Sequence, residues 1–266
     1  VVHGGRTFKG PALVTAAVLR TLTDLVPLAP LHQPHNLAAI RRVATLLPDV
    51  PQVACFDTSF HRTQDLLAQL FALPRHLTDE GVIRYGFHGL SYDYIASVLP
   101  EHSDRAQGKV IVAHLGNGAS MCALSQGRST ATSMGFTALD GLMMGQRCGS
   151  IDPGVLLYLM DGKGMTPAQL SMLLYTQSGL LGVSGISPDM AVLEASAAPA
   201  AGQSIDLFCY RAANELTALA TANGGLDAIV FTAGIGERSA RVRAAICERL
   251  AWLGVRLDPD ANAAHA

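Results

Sequence analysis

The sequence contains little charge, and its charges nearly balance. Only 15% of the 266 residues are charged, and 19 lysines and arginines stand against 21 aspartates and glutamates. Proteins that bind nucleic acid or anionic membrane surfaces typically carry a clear basic excess. The composition therefore argues against both kinds of partner. A hydrophobic content of 49%, much of it alanine, is instead typical of a compact α/β protein.

Paired cysteines and a leader-like start are also missing. The five cysteines form no CxxC pair and lie in apolar surroundings, which argues against a disulfide framework or a zinc motif. The first ten residues contain no basic stretch followed by an apolar one. We expect reduced thiols in the core of a cytoplasmic protein.

No apolar run is long enough to span a membrane without polar interruption. Residues 164–188 carry no charge, but polar residues such as Gln169 and Ser171 interrupt them. Thr166 is a candidate N-cap, with Pro167 at the first helical position. The stretch therefore predicts an amphipathic helix of a soluble protein.

Helical patterns alternate with short apolar strands. The strands are predicted at 51–56, 109–115, 120–126, 128–134 and 227–234, and the helices at 13–26, 36–47, 62–72, 91–99, 153–161, 167–175, 204–222 and 239–254. The stretch 194–204 is predicted to be a surface connection, and the segment from 255 to begin as a strand and then fray. Hairpins combined with βαβ crossovers predict a mixed sheet rather than a purely doubly wound one.

The P-loop motif GxxxxGK[ST] is absent, so a phosphate site would need another construction. Two strands end in glycine turns: "VIVAHLGNG" in Gly116-Asn117-Gly118, and "AIVFTAGIGER" in Gly234-Ile235-Gly236 before a helix capped by Ser239. A glycine turn at a helix N-terminus suits an anion. Each is equally a plain turn, because Asn-Gly is the strongest hairpin signal. The third glycine of a dinucleotide fingerprint is missing, so that alternative is weak.

Three reactive side chains stand in short loops. Asp57 follows a predicted strand in "CFDTSFHRT", where a carboxylate can hold a metal ion, or simply cap the next helix. His88 lies in "YGFHGLS", and a lone histidine is more often structural than catalytic. Arg147 lies in "GQRCGSIDPG"; arginine suits a transferring phosphoryl group, and an ion pair with Asp152 is the alternative.

Seven segments of the chain are distinctive: "PLAPLHQPHN", "FDTSFHRT", "YGFHGLS", "HLGNGAS", "TSMGFTALDGLMMGQRCGSIDPG", "GLLGVSGIS" and "FTAGIGERS". They occur in the order seen in acetate kinases, and the chain therefore resembles that family. The resemblance implies an α/β fold of the actin-like, sugar-kinase-like (RNase H-like) duplicated type, with two domains and a nucleotide cleft. Residues 1–58 would form a partial domain I, and residues 59–266 the nucleotide-binding domain II.

The resemblance also implies roles for individual residues. Asp57 matches the catalytic aspartate near the metal, and His88 and Arg147 match the pair that stabilises the transferring phosphoryl group. A small apolar pocket for the substrate methyl group is implied at Val2, Leu31, Phe87 and Ala138. Binding of ATP is implied at His114, Leu115, Gly116, Asn117, Gly118, Asp189, Met190, Ala191, Gly234, Ile235, Gly236, Glu237 and Arg238.

Several positions depart from the family pattern. Ala138 replaces a proline that shapes the acetate pocket, which leaves the acyl chain length open. Met190-Ala191 replaces Phe-Arg, and Arg238 replaces asparagine, which leaves the nucleotide preference open. Tyr92 replaces a histidine. The family's phosphate-binding segment before "VVHGG" and its closing strand with an acidic magnesium ligand are absent from the sequence, so we expect a truncated product or a fragment.

The expected activity is a reversible, Mg²⁺-dependent transfer of the γ-phosphoryl group of ATP to acetate, by a homodimer. A carboxylate nucleophile is ionised at pH 7 and needs no general base, so Asp57 would orient metal and substrate. A phosphoenzyme at Asp57 is the mechanistic alternative. Propionate or butyrate kinase activity, or a nucleotide-binding remnant without activity, are the functional alternatives.

Overall fold

The chain forms two β-sheets flanked by helices, and the computed structural model describes residues 1–30 and 32–265. The strands are β1 (Ala12–Leu13), β2 (Val53–Ala54), β3 (Lys109–Leu115), β4 (Ala119–Ser125), β5 (Arg128–Thr132) and β6 (Ala228–Thr232). The helices are α1 (Ala16–Asp24), α2 (Gln33–Leu46), α3 (Leu66–Gln69), α4 (Arg75–Asp79), α5 (Gly89–Val98), α6 (Pro153–Leu157), α7 (Pro167–Thr176), α8 (Gly179–Ser184), α9 (Met190–Glu194), α10 (Pro199–Ala222), α11 (Ala233–Arg238), α12 (Ala240–Arg249) and α13 (Pro259–Ala263). Short 3₁₀ turns lie at Val26–Leu28, Ser59–Thr63, Leu99–Glu101 and Ala251–Leu253, and a π-helical turn at Tyr158–Gly162.

The main sheet has the strand order β5-β4-β3-β6. The first three strands form an antiparallel meander, in which Leu115 pairs with Ala119 across the first hairpin. Strand β6 lies parallel to β3 on the other side, so a long crossover from β5 through α6–α10 must return the chain. The prediction of a mixed sheet is confirmed.

Alternation along β3 divides the core into two layers. Val110 and Val112 pack with Tyr92 of α5 on one face of the sheet. Ile111 and Leu115 face the other side and belong to the cluster that includes Phe208 of α10. Because successive side chains of a strand point to opposite faces, a buried apolar strand such as β3 needs a helical layer on each side.

A third cluster lies in the N-terminal segment. Strands β1 and β2 form a two-stranded antiparallel ribbon, and α1 and α2 pack beside it. The buried members Leu22, Leu37, Ala54 and Phe56 all fall within residues 1–58. The domain boundary at 58 stays a prediction.

Two predicted strands differ from the structure. The segment 51–56 pairs only at Val53–Ala54, because its single partner strand, β1, is equally short. The segment is also not fully buried, since Val53 is 61% exposed. The segment from 255 forms no strand. Instead, Asp258 caps α13 by accepting from the amides of Asp260 and Ala261, and Arg243 Nε binds Asn262 Oδ1 at 2.7 Å.

The predicted surface connection at 194–204 is wrong beyond Ala198. Helix α10 begins at Pro199, which suits the first helical turn because it lacks the N–H that would have no partner there. Ala201 and Ile205 then point into the core, so tertiary burial decides the segment's structure. Even this 24-residue helix is not apolar enough to cross a membrane, and no other helix of the described ranges is.

We predict that Phe56→Ala destabilises the N-terminal cluster. The ring is fully buried and stacks on Phe8 at 4.6 Å, so its removal leaves a cavity that the neighbours cannot fill. The free energy of unfolding should fall by roughly 3–5 kcal/mol, measured by urea unfolding followed by circular dichroism. Val53→Ala on the exposed strand is the control and should cost less than about 1 kcal/mol. A loss as small as the control's would contradict this packing.

Candidate active site

The Gly116–Gly118 turn lies at the centre of the candidate site. It joins β3 to β4, and the Gly116 amide donates to the Gly118 carbonyl at 3.2 Å, so it is a hairpin turn as the local sequence predicts. It is also a place of close approach. A β-carbon built on Gly118 would lie 2.6 Å from Arg147 Nη2 and 3.5 Å from His88 Nε2. The plain turn is therefore present, and Arg147 is the group that approaches it closely, whereas anion binding at this turn stays a prediction.

His88 enters the site from the start of α5. Its backbone is left-handed, with φ of 58°, which turns the chain into the helix. Its Nδ1 is hydrogen-bonded to Ser120 Oγ at 2.8 Å. The ring stacks on that of His114, with 4.4 Å between the ring centroids. Burial, together with the nearby His114, Arg147 and His61, lowers the pKa of His88 to about 3. The imidazole is therefore neutral at pH 7.

His114 stands at the end of β3, between the hairpin and α5. Its Nδ1 lies 2.9 Å from Ser91 Oγ. Burial lowers the pKa of His114, and the carboxylate of Glu237 works in the opposite direction. The structure thus places His114 against His88, and His114 does not line the cavity beside the hairpin turn that is described below.

The Arg147 guanidinium has no carboxylate partner in residues 1–30 and 32–265. Its Nη1 donates to the Ala138 carbonyl at 2.5 Å. The alternative ion pair with Asp152 is not formed, because the Asp152 carboxylate caps α6 by accepting from the Gly154 amide at 2.8 Å. Burial lowers the pKa of Arg147, and Tyr175 opposes this. A partly buried cation without an anion is unfavourable by itself, so this site is suited to an anionic ligand.

A polar network that the sequence analysis missed holds the loop carrying Arg147. Arg84 forms a salt bridge with Asp140 at 3.1 Å, and Ser150 Oγ donates to Asp140 Oδ1 at 2.5 Å. Arg211 in turn donates to the Ser150 carbonyl. These residues are far apart in sequence, so no local pattern indicates their contact.

Asp57 lies beside the start of α5. Its carbonyl accepts from the Gly89 amide at 2.8 Å. Burial raises the pKa of Asp57, and the nearby N-terminal ammonium of Val1 and the Leu90 amide partly offset the effect. The alternative role as a helix cap is not taken, because Thr58 precedes the next helical turn.

Asp57 is the residue predicted to bind a metal ion. Within the part of the chain that the structure describes, no three His, Cys, Asp or Glu side chains converge into a metal site. Mg²⁺ commonly takes one or two protein carboxylates and completes its coordination with substrate phosphates and water. The half-buried Asp57 carboxylate fits the role of such a single ligand.

A cavity of about 580 Å³ opens beside the hairpin turn. This volume lies within the range of about 300–1,000 Å³ that is usual for small-molecule sites. Eight residues predicted to bind nucleotide line it: Gly116, Asn117, Asp189, Met190, Ala191, Gly234, Ile235 and Arg238. Pro188, Glu194 and Ser239 also line it, and they were not predicted as site residues.

Four other residues predicted to bind nucleotide do not line the cavity: Leu115, Gly118, Gly236 and Glu237. Leu115 is buried in the core, and Gly118 faces Arg147. Arg243, which is itself buried, donates to the carbonyls of Gly236 and Glu237 at 2.9 and 2.7 Å. These residues shape the cavity rather than line it.

The predicted methyl pocket is a separate and much smaller cavity, of about 20 Å³. Val2, Phe87 and Ala138 line it as predicted, and Leu31 lies outside the described residues. The sequence analysis did not include the other lining residues Leu28, Ala29, Pro30, His32, Thr137 and Tyr175. The volume slightly exceeds the ~10–15 Å³ that one water-sized group requires, so the pocket suits a single methyl group.

The site thus combines an arginine without an anionic partner, a neutral histidine and a glycine turn beside a nucleotide-sized cavity. These features on a mixed β5-β4-β3-β6 sheet define a phosphotransferase of the actin-like class.

Comparison with known proteins identifies the family. The model of the Acetokinase family matches residues 1–266. The acetate kinase of Rhodopseudomonas palustris strain CGA009 is 60% identical over 265 residues, covering 99% of this chain and 67% of that protein. The chain therefore belongs to the acetokinase family, and the resemblance predicted from its motifs is confirmed. It spans about two thirds of the length of the curated relatives it matches.

Solved structures agree with the fold. A propionate kinase from Francisella tularensis superposes with a TM-score of 0.94 at 39% identity, covering 99% of this chain and 70% of that one. Acetate kinase from Porphyromonas gingivalis gives a TM-score of 0.91 at 38% identity, covering 98% and 67%. The predicted actin-like fold class and the assignment to the kinases are confirmed.

Buried histidines make the stability of the fold depend on pH. Burial lowers the pKa of His3 and His61 to about 4 and that of His88 to about 3. Between these values and the unfolded value near 6.5, the unfolded chain binds more protons than the folded one. The free energy of unfolding should therefore fall on acidification from pH 6.5 to 4, by up to about 1.4 kcal/mol per pH unit for each histidine.

Urea unfolding at pH 7, 6 and 5 measures this slope. His61→Gln removes one of the three groups and should make the slope shallower, whereas His76→Gln at an exposed position should leave it unchanged. Stability that stays constant or rises on acidification would show that these histidines are not buried in their neutral form.

Proposed function

We propose that this chain catalyses the reversible transfer of the γ-phosphoryl group of ATP to acetate, giving acetyl phosphate and ADP. The observation that carries the proposal is the position of Arg147 and His88. Both lie beside Gly118, at the edge of the 580 Å³ cavity, and the arginine has no carboxylate partner in the described ranges.

The transfer would be direct and in line. An oxygen of the ionised acetate forms a bond to the γ-phosphorus, while the bond from that phosphorus to the bridging oxygen breaks and its electron pair leaves with ADP. Arg147 would offset the charge of the equatorial oxygens, and neutral His88 would donate one hydrogen bond to them. No proton needs to leave the nucleophile, so a general base is not required.

Asp57 would then orient rather than take a proton. Its place next to Gly89 fixes it beside the helix that carries His88. Mg²⁺, held through the Asp57 carboxylate and the nucleotide, would neutralise charge on the phosphates. ATP would occupy the cavity lined by Asn117, Asp189 and Arg238, with its phosphates toward the Gly116–Gly118 turn.

The size of the small pocket supports acetate as the substrate. A cavity of about 20 Å³ behind Phe87 and Ala138 accommodates a methyl group but not a longer chain without rearrangement. Propionate is the second candidate, because a solved relative with 39% identity is a propionate kinase and alanine at position 138 leaves a small side chain in the wall.

We also infer a cytoplasmic homodimer with no membrane or nucleic-acid partner. All five cysteines are free thiols, as expected in a reducing compartment. Leu157, Tyr158 and Met172 are each more than half exposed, and apolar side chains of this kind are common in homodimer interfaces.

Acyl phosphate formation, trapped as the hydroxamate, tests the activity directly. With ATP and Mg²⁺, kcat/KM should be highest for acetate and should fall about 10–200-fold for each added methylene, because the pocket must expand to accept it. Arg147→Ala should lose roughly 10³-fold or more in kcat. A folded chain that binds ATP and forms no acyl phosphate would contradict the proposal, and a preference for propionate would select the second candidate.

Gly118→Ala tests the close approach at the turn. The new β-carbon would displace the Arg147 guanidinium, so we expect kcat to fall at least about tenfold, since arginine in this role contributes far more than that. The backbone at Gly118 is not left-handed, so the fold should be kept. Gly202→Ala is the matched control, because its β-carbon would meet nothing within 4 Å and kcat should be unchanged. Equal activity of both variants would show that Arg147 does not act at this position.

A further inference from the structure

His88 is connected through Ser120 to the phenol of Tyr92. His88 Nδ1 lies 2.8 Å from Ser120 Oγ, and the same hydroxyl oxygen is hydrogen-bonded to Tyr92 Oη. Tyr92 and Ser120 are fully buried. In the part of the chain that the structure describes, neither hydroxyl has another hydrogen-bond partner. Tyr92 Oη, Ser120 Oγ and His88 Nδ1 therefore form a linear series of hydrogen bonds, and its two hydroxyl groups have no partner outside the series among the described residues.

The buried hydroxyl protons decide the direction of this series. If Tyr92 donates to Ser120 and Ser120 donates to His88 Nδ1, both hydroxyl protons have an acceptor. If His88 Nδ1 instead carries a proton and donates to Ser120, one hydroxyl proton has no acceptor in the described ranges. Buried polar groups are nearly always hydrogen-bonded, so the first arrangement is favoured and Nδ1 is the acceptor.

The other nitrogen of His88 faces the cleft. A β-carbon on Gly118 would lie 3.5 Å from Nε2. Burial lowers the pKa of His88 to about 3, so the ring carries one proton at pH 7. With Nδ1 as acceptor, this proton is on Nε2.

We propose that Ser120 is a positioning residue: it donates to Nδ1 and accepts from Tyr92, and so holds the single proton of His88 on Nε2, directed at the Gly116–Gly118 turn. The tautomer is a property of the folded chain by itself. Its catalytic consequence, a hydrogen bond ready for the transferring phosphoryl group, rests on the proposed function.

Nitrogen-15 NMR of the histidine rings tests the proposal without turnover. The chain is labelled with ¹⁵N-histidine, and two-bond proton–nitrogen correlations are recorded at pH 7, with the His88 signals identified by their loss in His88→Gln. We expect the wild-type chain to show His88 protonated on Nε2 alone. In Ser120→Ala, Nδ1 loses the hydroxyl that donates to it, so a population protonated on Nδ1 should arise. In Tyr92→Phe, Nδ1 is still the acceptor for the Ser120 proton, so Nε2 should stay protonated.

Two variants serve as controls. Tyr94→Phe removes an exposed phenol from the same helix and should leave His88 unchanged. Ser91→Ala removes the partner of His114 and should alter the His114 signals only. If Ser120→Ala does not fold, the wild-type spectrum still decides which nitrogen of His88 carries the proton.

Either of two results would overturn the proposal: a wild-type His88 protonated on Nδ1, or the same tautomer in wild type and Ser120→Ala. Where turnover is measurable, kcat of Ser120→Ala should fall in proportion to the lost Nε2-protonated population, while KM for acetate stays unchanged. A wild-type chain without turnover would count against the proposed function alone, because the NMR result is independent of it.

Discussion

The close approach of the Arg147 guanidinium to the backbone at Gly118 is the contact on which the candidate site depends. It brings a cation without a carboxylate partner in the described residues to the tip of a hairpin. A side chain at 118 would occupy the same space, so the glycine serves the contact and not only the turn. The salt bridge between Arg84 and Asp140 holds the loop from which the arginine reaches the hairpin.

Strand alternation supplies the other half of the site. His114 pairs with Ser120 across the hairpin, and both side chains lie on the face of the sheet that α5 covers. Helix α5 brings His88 and Tyr92 to that face, so four polar side chains meet within an otherwise apolar layer. A shift of one residue in register would turn His114 and Ser120 to the opposite face.

The two cavities differ in size and in the chemistry of their linings. The larger one is lined by segments that follow β3, α8 and β6, and its lining residues include the charged Asp189, Glu194 and Arg238. The smaller one is lined largely by apolar side chains and admits little more than a methyl group. Asp57, His88 and Arg147 line neither cavity, and their role at the reacting atoms stays a proposal.

The sequence by itself determined the hairpin strands, the Gly116–Gly118 turn and the family, and it predicted Asp57, His88 and Arg147 as candidate site residues, because these features are local patterns or specific motifs. The predicted glycine turn at Gly234–Gly236 is instead part of α11. Tertiary structure decided that Pro199 begins a buried helix, that Asp152 caps α6 rather than pairing with Arg147, and that Arg84, Ser120 and Tyr92 support the site. Burial and hydrogen bonding between distant segments set these outcomes, and neither quantity is encoded in a local stretch of residues.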